Sequence, residues 1–155
     1  MFTLILRSAI LVLVGLLTWG IVWSGRRYVE RRRRIALAAQ PVFEAANSNI
    51  AGQFNQQAGS MPVHILVFSS ADCRQCHKYQ IPALQRVTEA RKNQVSVEEV
   101  DAPASPELAK RYQVLTLPTT VVLDAAGRAQ AVNYGLANTQ RLLEQVDTIL
   151  ATAVA

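Results

Sequence analysis

Cysteine is nearly absent from this 155-residue chain: there are two, Cys73 and Cys76, separated by two residues. A disulfide-stapled scaffold needs more of them, spread along the chain. A four-cysteine zinc site is excluded by count. Histidine is as scarce, with His64 and His77 only. Acidic residues are almost missing from the N-terminal stretch, where residues 1–34 hold seven arginines against the single acid Glu30. The net charge of +5 therefore belongs to that stretch, since residues 35–155 carry nine basic and ten acidic residues. No basic patch with interleaved aromatics follows it, which argues against nucleic-acid binding. Internal repeats and nucleotide or flavin motifs are also lacking.

What is present begins with an uncharged run from Ser8 to Ser24. Its 17 residues rise about 1.5 Å each, roughly 26 Å in all, close to the hydrocarbon core of a bilayer. Phe2 to Leu6 lengthen it if Arg7 snorkels to the interface. Trp19 and Trp23 stand near its C-terminal end, where amphipathic rings favour the headgroup region. A cleaved signal peptide would place small residues directly after the run; here Arg26, Arg27 and four more arginines follow, with Ala36-Leu37-Ala38 only beyond them. The expectation is a retained transmembrane anchor, residues 1–25. The six arginines from Arg26 to Arg34 outweigh Arg7 and the terminal amine. The positive-inside rule then places the domain after them on the cytoplasmic face of a cell membrane, the alternative being the extracytoplasmic face.

Residues 26–60 read as an Arg-rich juxtamembrane segment and linker. Tyr28 to Ala46 suits a helix interrupted at Pro41, and Asn47 to Ser60 suits a loop. From residue 61 the pattern alternates. Val63–Phe68, Val95–Asp101, Thr119–Asp124 and Ala129–Tyr134 predict strands. A helix is expected from Cys73 to about Lys92, with Asp72 as N-cap and a kink at Pro82. A short helix is expected over Pro106–Tyr112 behind Ser105, and a closing helix from Asn138 to about Ala151. The order predicts an α/β domain: a central mixed four-stranded sheet with helices on both faces, its first unit a parallel crossover and its last two strands an antiparallel hairpin.

Two thiols three positions apart at a helix start can close a small disulfide ring. Unpaired N–H groups and the helix dipole there favour a thiolate at the first, and Arg74 adds positive charge. Cys73 is thus the expected nucleophile and Cys76 the resolving thiol. Other readings compete. Cys73-Arg74-Gln75-Cys76-His77 also spells a c-type haem attachment motif, but strands surround it and second axial ligands are few. A Cys2His metal site assisted by His77 and His64 has half a usual ligand set. A module whose cysteines no longer turn over is the remaining alternative.

Four features in order resemble the thioredoxin-like family: the strand Val63–Phe68, the CxxC opening a helix, Leu117-Pro118-Thr119 before a strand, and Asp124-Ala125-Ala126-Gly127 between the last two strands. Tyr134-Gly135 before the final helix also resembles the family's late glycine. The match covers about residues 61–152, and the resemblance implies a thioredoxin-like domain over residues 61–155. It further implies a cis-proline at Pro118 opposite the CxxC, with Thr116 and Leu117 lining the surface that binds substrate. Asp72, Arg74 and Gln75 stand where the family has Trp, Gly and Pro, so they are expected to modulate the site. The family's buried carboxylate falls at Val67 and its lysine near Val97. Pro82 lies one residue later than usual. The implied activity is that of a membrane-tethered thiol–disulfide oxidoreductase with no cofactor beyond the cysteine pair and no metal. Its expected partners are protein disulfides or dithiols, a protein electron donor or acceptor, and the membrane through residues 1–25. The alternative is a non-catalytic thioredoxin-fold interaction module at the membrane.

Overall fold

The computed structural model describes residues 2–39 and 61–154. They fall into two compact units, Met1–Arg34 and Ile35–Ala155. The interruption expected at Pro41 and the loop expected over Asn47 to Ser60 lie outside the described residues.

Helix α1, Phe2–Leu37, carries the first unit as far as Arg34, and its last residues from Ile35 belong to the second. Its 36 residues extend roughly 54 Å at about 1.5 Å per residue, well beyond a hydrocarbon core of about 30 Å. The segment Ile10–Leu37 is long and apolar enough to cross a membrane. From Ile10 to Trp23 its large apolar side chains are exposed. Helical i, i+4 spacing then organises the far end. Trp19 stacks on Trp23 with centroids 6.5 Å apart. The Arg27 guanidinium lies 4.0 Å over the Trp23 ring, and Arg32 donates to the Tyr28 hydroxyl at 2.8 Å. Trp23 and Tyr28 thus each pair an apolar body with a cationic neighbour, the chemistry of a membrane–water boundary.

In the second unit the chain runs β1 (Val63–Ser69), a π-helical turn (Cys76–Gln80), α2 (Ile81–Ala90), β2 (Val95–Asp101), α3 (Pro106–Arg111), β3 (Thr119–Asp124), β4 (Ala129–Tyr134) and α4 (Thr139–Val154). The sheet order is β2-β1-β3-β4. β1 pairs parallel with β2 and antiparallel with β3, and β3 pairs antiparallel with β4. The expected sheet is the observed one, with three of the four strands at the expected bounds and β1 longer by Ser69.

Every residue of β1 is buried, as a continuous apolar run of strand length requires. Its alternation divides the core. Val63, Ile65 and Val67 pack with Leu84 and Val87 of α2 and with Leu142, Val146 and Ile149 of α4. Leu66 and Phe68 pack on the opposite face with Ala36, Val100, Leu108 and Tyr112. The Phe68 and Tyr112 rings meet at 6.0 Å. Burial of the Tyr112 phenol pushes it up to about 12, so it is neutral at physiological pH. Burial likewise lowers His64, which shares a 2.6 Å hydrogen bond through Nδ1 with the Ser96 hydroxyl.

The hairpin between β3 and β4 turns on Asp124. Its carboxylate accepts from the N–H groups of Ala126 and Arg128, from Arg128 Nε and from Gln130 Nε2, at 2.8–3.1 Å, and Gly127 supplies a φ of +77°. Burial by itself would raise this carboxyl. The bonds from Arg128 and Gln130 outweigh burial and hold it below the usual carboxylate range. A folded pKa below the unfolded one means the stabilisation is present above the unfolded value and is lost as pH falls through the folded one. Asp124→Asn is therefore expected to cost about 1–2 kcal/mol at neutral pH. It should also flatten the fall in stability below about pH 4. Urea unfolding followed across that range measures both.

Candidate functional site

The site is built by the sheet register. Phe68, near the carboxyl end of β1, pairs with Thr119 at the amino end of β3. The loop that follows β1 carries Cys73, and the residue before Thr119 is Pro118. Thr119 also pairs with Tyr134 at the end of β4. Three segments distant in sequence therefore leave one end of the sheet: Ser70 to Gln80, Thr116 to Pro118, and Gly135 to Ala137.

Cys73 and Cys76 are joined as a disulfide, with Cα atoms 5.3 Å apart. Cys73 is partly exposed, and Cys76 is fully buried beneath it. The Cys76 N–H donates to Cys73 Sγ at 3.2 Å. That is the N-cap to N3 bond of a helix start, with a sulfur as acceptor. The expectation of Asp72 as N-cap is therefore corrected. Asp72 is exposed, its carbonyl accepts from the Arg74 N–H at 3.0 Å, and the capping atom is Cys73 Sγ. A sulfur in this position receives N–H donors and the positive end of the helix, which favours its anionic form. Arg74 and Gln75 are both exposed between the two cysteines.

The helix after Cys76 also departs from the expected form. In place of an α-helix kinked at Pro82 there is a π-helical turn, Cys76–Gln80, in which the Ile81 N–H bonds to the Cys76 carbonyl, followed by α2 with Pro82 in its first turn. A π-turn absorbs one extra residue without ending the helix. The first turn of an α-helix tolerates the missing proline N–H. The late position of Pro82 was the sequence signal of this insertion.

The π-turn buries Gln80 completely. Its Oε1 accepts from the Ala137 N–H at 2.9 Å, and its Nε2 donates to the Ala137 carbonyl at 3.2 Å. This clamp ties the cysteine turn to the segment after β4, and sequence reasoning missed it, because an interior glutamine carries no motif. One step back along that segment, the Gly135 N–H donates to the Pro118 carbonyl at 2.9 Å, with Gly135 at φ +81°. The Leu117–Pro118 bond is cis, and Pro118 is buried. Leu117 is half-buried, Thr116 is exposed, and the Thr116 carbonyl accepts from Thr119 Oγ1 at 2.7 Å.

Val67 is buried in the apolar core, and Val97 packs against that core. Across the sheet Val67 pairs with Glu99, and a groove of about 640 Å³ between α2 and the sheet is lined by Val67, Leu84, Val97 and Glu99. Among the described residues of the second unit, the exposed large hydrophobic side chains beyond Ile35 are Tyr79, Leu115 and Leu136. One lies on each of the segments that meet at this end of the sheet or just before it. No group of three or more metal-ligating side chains occurs among the described residues.

Replacing Gln80 by Leu leaves the Ala137 N–H and carbonyl without their partners. The expected cost is about 2–4 kcal/mol, read as a lower urea midpoint with an unchanged m-value.

The thioredoxin family profile matches residues 43–148. Solved structures similar to this chain include chloroplastic thioredoxin z, 24% identical, with 70% of this chain and 89% of that one covered and a TM-score of 0.53. Mitochondrial thioredoxin 3 of Saccharomyces cerevisiae is 22% identical over 63% and 89% of the two chains, with a TM-score of 0.52. Thioredoxin-2, a component of the malaria parasite protein secretion machinery, is 20% identical over 56% and 82%, with a TM-score of 0.52. No curated protein sequence matches the chain significantly. At these identities the structures establish the fold, and the profile spanning more than half of the chain establishes the family: this chain belongs to the thioredoxin family.

Proposed function

We propose that the chain is a membrane-tethered thiol–disulfide oxidoreductase in which Cys73 is the nucleophile and Cys76 the resolving thiol. The observation that carries this reading is the asymmetry of the pair. Cys73 is partly exposed at the helix start and accepts the Cys76 N–H, whereas Cys76 is fully buried. In the dithiol state the Cys73 thiolate attacks one sulfur of a protein disulfide. The other substrate sulfur leaves as a thiolate and takes up a proton. Cys76 then loses its proton and attacks Cys73, which closes the internal disulfide and frees the second substrate thiol. Two electrons pass to the substrate, and a protein dithiol returns them by the same exchange in reverse. With Val67 where a carboxylate would stand, water accepts the Cys76 proton. Thr116, Leu117 and Pro118 supply the backbone surface beside the attacked disulfide. Arg74, Gln75 and Asp72 set the charge around Cys73 and hence the ease of reduction.

Insulin reduction by the full chain in detergent, with dithiothreitol as donor, tests the chemistry. Activity above the donor background is expected, and Cys73→Ser is expected to abolish it. Cys76→Ser should accumulate mixed disulfides through Cys73. Absence of both turnover and adducts would leave the non-catalytic docking module as the reading.

The same proposal places α1 as a retained anchor and the domain on the cytoplasmic face. It is supported by the apolar length of Ile10–Leu37 and by the arginines that follow the uncharged run. In intact cells a membrane-impermeant maleimide should fail to label Cys73 after mild permeant reduction, and should label it once the cells are permeabilised. Labelling before permeabilisation would reverse the orientation.

A further inference from the structure

Charge in the second unit is segregated. Residues 73–86 contain Arg74, Lys78 and Arg86 with no Asp or Glu, and residues 134–143 contain Arg141 with no Asp or Glu. The remainder of residues 61–154 carries five basic and nine acidic side chains. The two acid-free segments are those that the Gln80 clamp holds together. A groove of about 590 Å³ runs between them, lined by Tyr79, Ala83, Arg86, Leu136, Asn138 and Arg141, among others. Its floor is ordered by hydrogen bonds: Arg86 Nε donates to Thr139 Oγ1 at 3.1 Å, and Asn138 Oδ1 caps α4 by accepting from the Arg141 N–H at 2.8 Å. Its apolar rim is exposed, Tyr79 at 51% and Leu136 at 50%. Among the described residues, none of Arg74, Lys78, Arg86 and Arg141 takes part in an ion pair. Lys78 lies over the Tyr79 ring at 5.2 Å, so cation and aromatic present themselves together.

We propose that this groove selects the substrate. It takes an extended polypeptide whose cysteine is flanked by an apolar residue and by acidic side chains, with Tyr79 and Leu136 receiving the former and Lys78, Arg86 and Arg141 the latter. The proposal rests on the oxidoreductase reading and adds the substrate class. Arginines beside an exposed apolar rim suit carboxylates on a peptide better than a small anion, because the guanidinium forks pair with carboxylate while the rim desolvates the neighbouring side chain. Like charges in no ion pair also repel basic substrates, so these segments discriminate as well as attract.

The test uses the full-length chain in detergent, reduced with dithiothreitol and freed of it. In single turnover it reacts with cyclic peptides closed by one Cys–Cys disulfide. The peptides share an apolar residue beside one cysteine and differ only in carrying Asp or Lys next to it. The Asp peptide is expected to react about tenfold faster than the Lys peptide at low salt. That ratio should shrink as salt shortens the screening length. The triple variant K78E/R86E/R141E is expected to invert it. A loss of folded protein scales both peptides alike and leaves the ratio readable. Equal rates for the two peptides in the unaltered chain, or a preference untouched by charge reversal, would overturn the groove assignment while leaving the oxidoreductase reading intact. No exchange with either peptide would overturn both.

Discussion

The structure depends on a single strand that cannot touch water on either side. All seven residues of β1 are buried, and burying such side chains contributes on the order of 1.5–3 kcal/mol each. Both faces of the sheet must therefore be covered. Leu84, Val87, Leu142 and Val146 close one face, and Leu108, Tyr112 and Ala36 close the other. Flanked by β2 and β3, the strand also has no free edge, so its backbone groups are satisfied along its length. The chain reaches the surface only beyond its ends. The cysteine pair lies beyond the carboxyl end, where the chain leaves the sheet and a helix begins.

That end is assembled from three distant segments by backbone register and one side chain. Pairing of Phe68 with Thr119, and of Thr119 with Tyr134, fixes where the loops emerge. The Gly135 N–H on the Pro118 carbonyl and the two bonds from Gln80 to Ala137 then join the loops to one another. The cysteine turn, the cis-proline loop and the loop after β4 thereby form one hydrogen-bonded unit. The π-turn has a structural consequence here. It takes up one residue before Pro82, while Cys76 and Gln80, four apart and so on one helix face, both stay buried.

The electrostatics follow the same geography. Among the described residues of the second unit, two ion pairs lie away from the site: Arg91 with Asp147, whose carboxyl is lowered by that bond, and Arg128 with Asp124. The Arg91–Asp147 pair is partly exposed and contributes little to stability, whereas Asp124 is mostly covered and holds the hairpin through its backbone N–H donors as well. Near the cysteines Arg74, Lys78, Arg86 and Arg141 take part in none of the ion pairs among the described residues. Capping of Cys73 Sγ by the Cys76 N–H works in the same direction, since a sulfur that is easily ionised is both a better leaving group and a readier thiolate at neutral pH.

The four strands, the hairpin and the cysteine pair were legible in the chain because each rests on local physics: short β-branched runs of strand length, Asp and Gly in a tight turn, and two thiols at a helix start. The apolar run and its arginines were legible for the same reason, since length and charge decide whether a helix can cross a bilayer. Pro118 was legible only through its place relative to the CxxC. The helix start was misassigned to Asp72, because a cap is chosen by which atom reaches the N3 N–H, and in three dimensions that atom is Cys73 Sγ. The clamp of Gln80 on Ala137 could not be read at all. Some 57 residues separate Gln80 from Ala137, and nothing in either neighbourhood says that they meet. By itself the sequence determined which segments are strand and helix, which helix is apolar enough to cross a membrane, and where the two cysteine sulfurs stand in the chain. Tertiary structure alone decided what surrounds those atoms, because a site at a sheet end is made by register between strands, and register is a property of the pairing rather than of either strand.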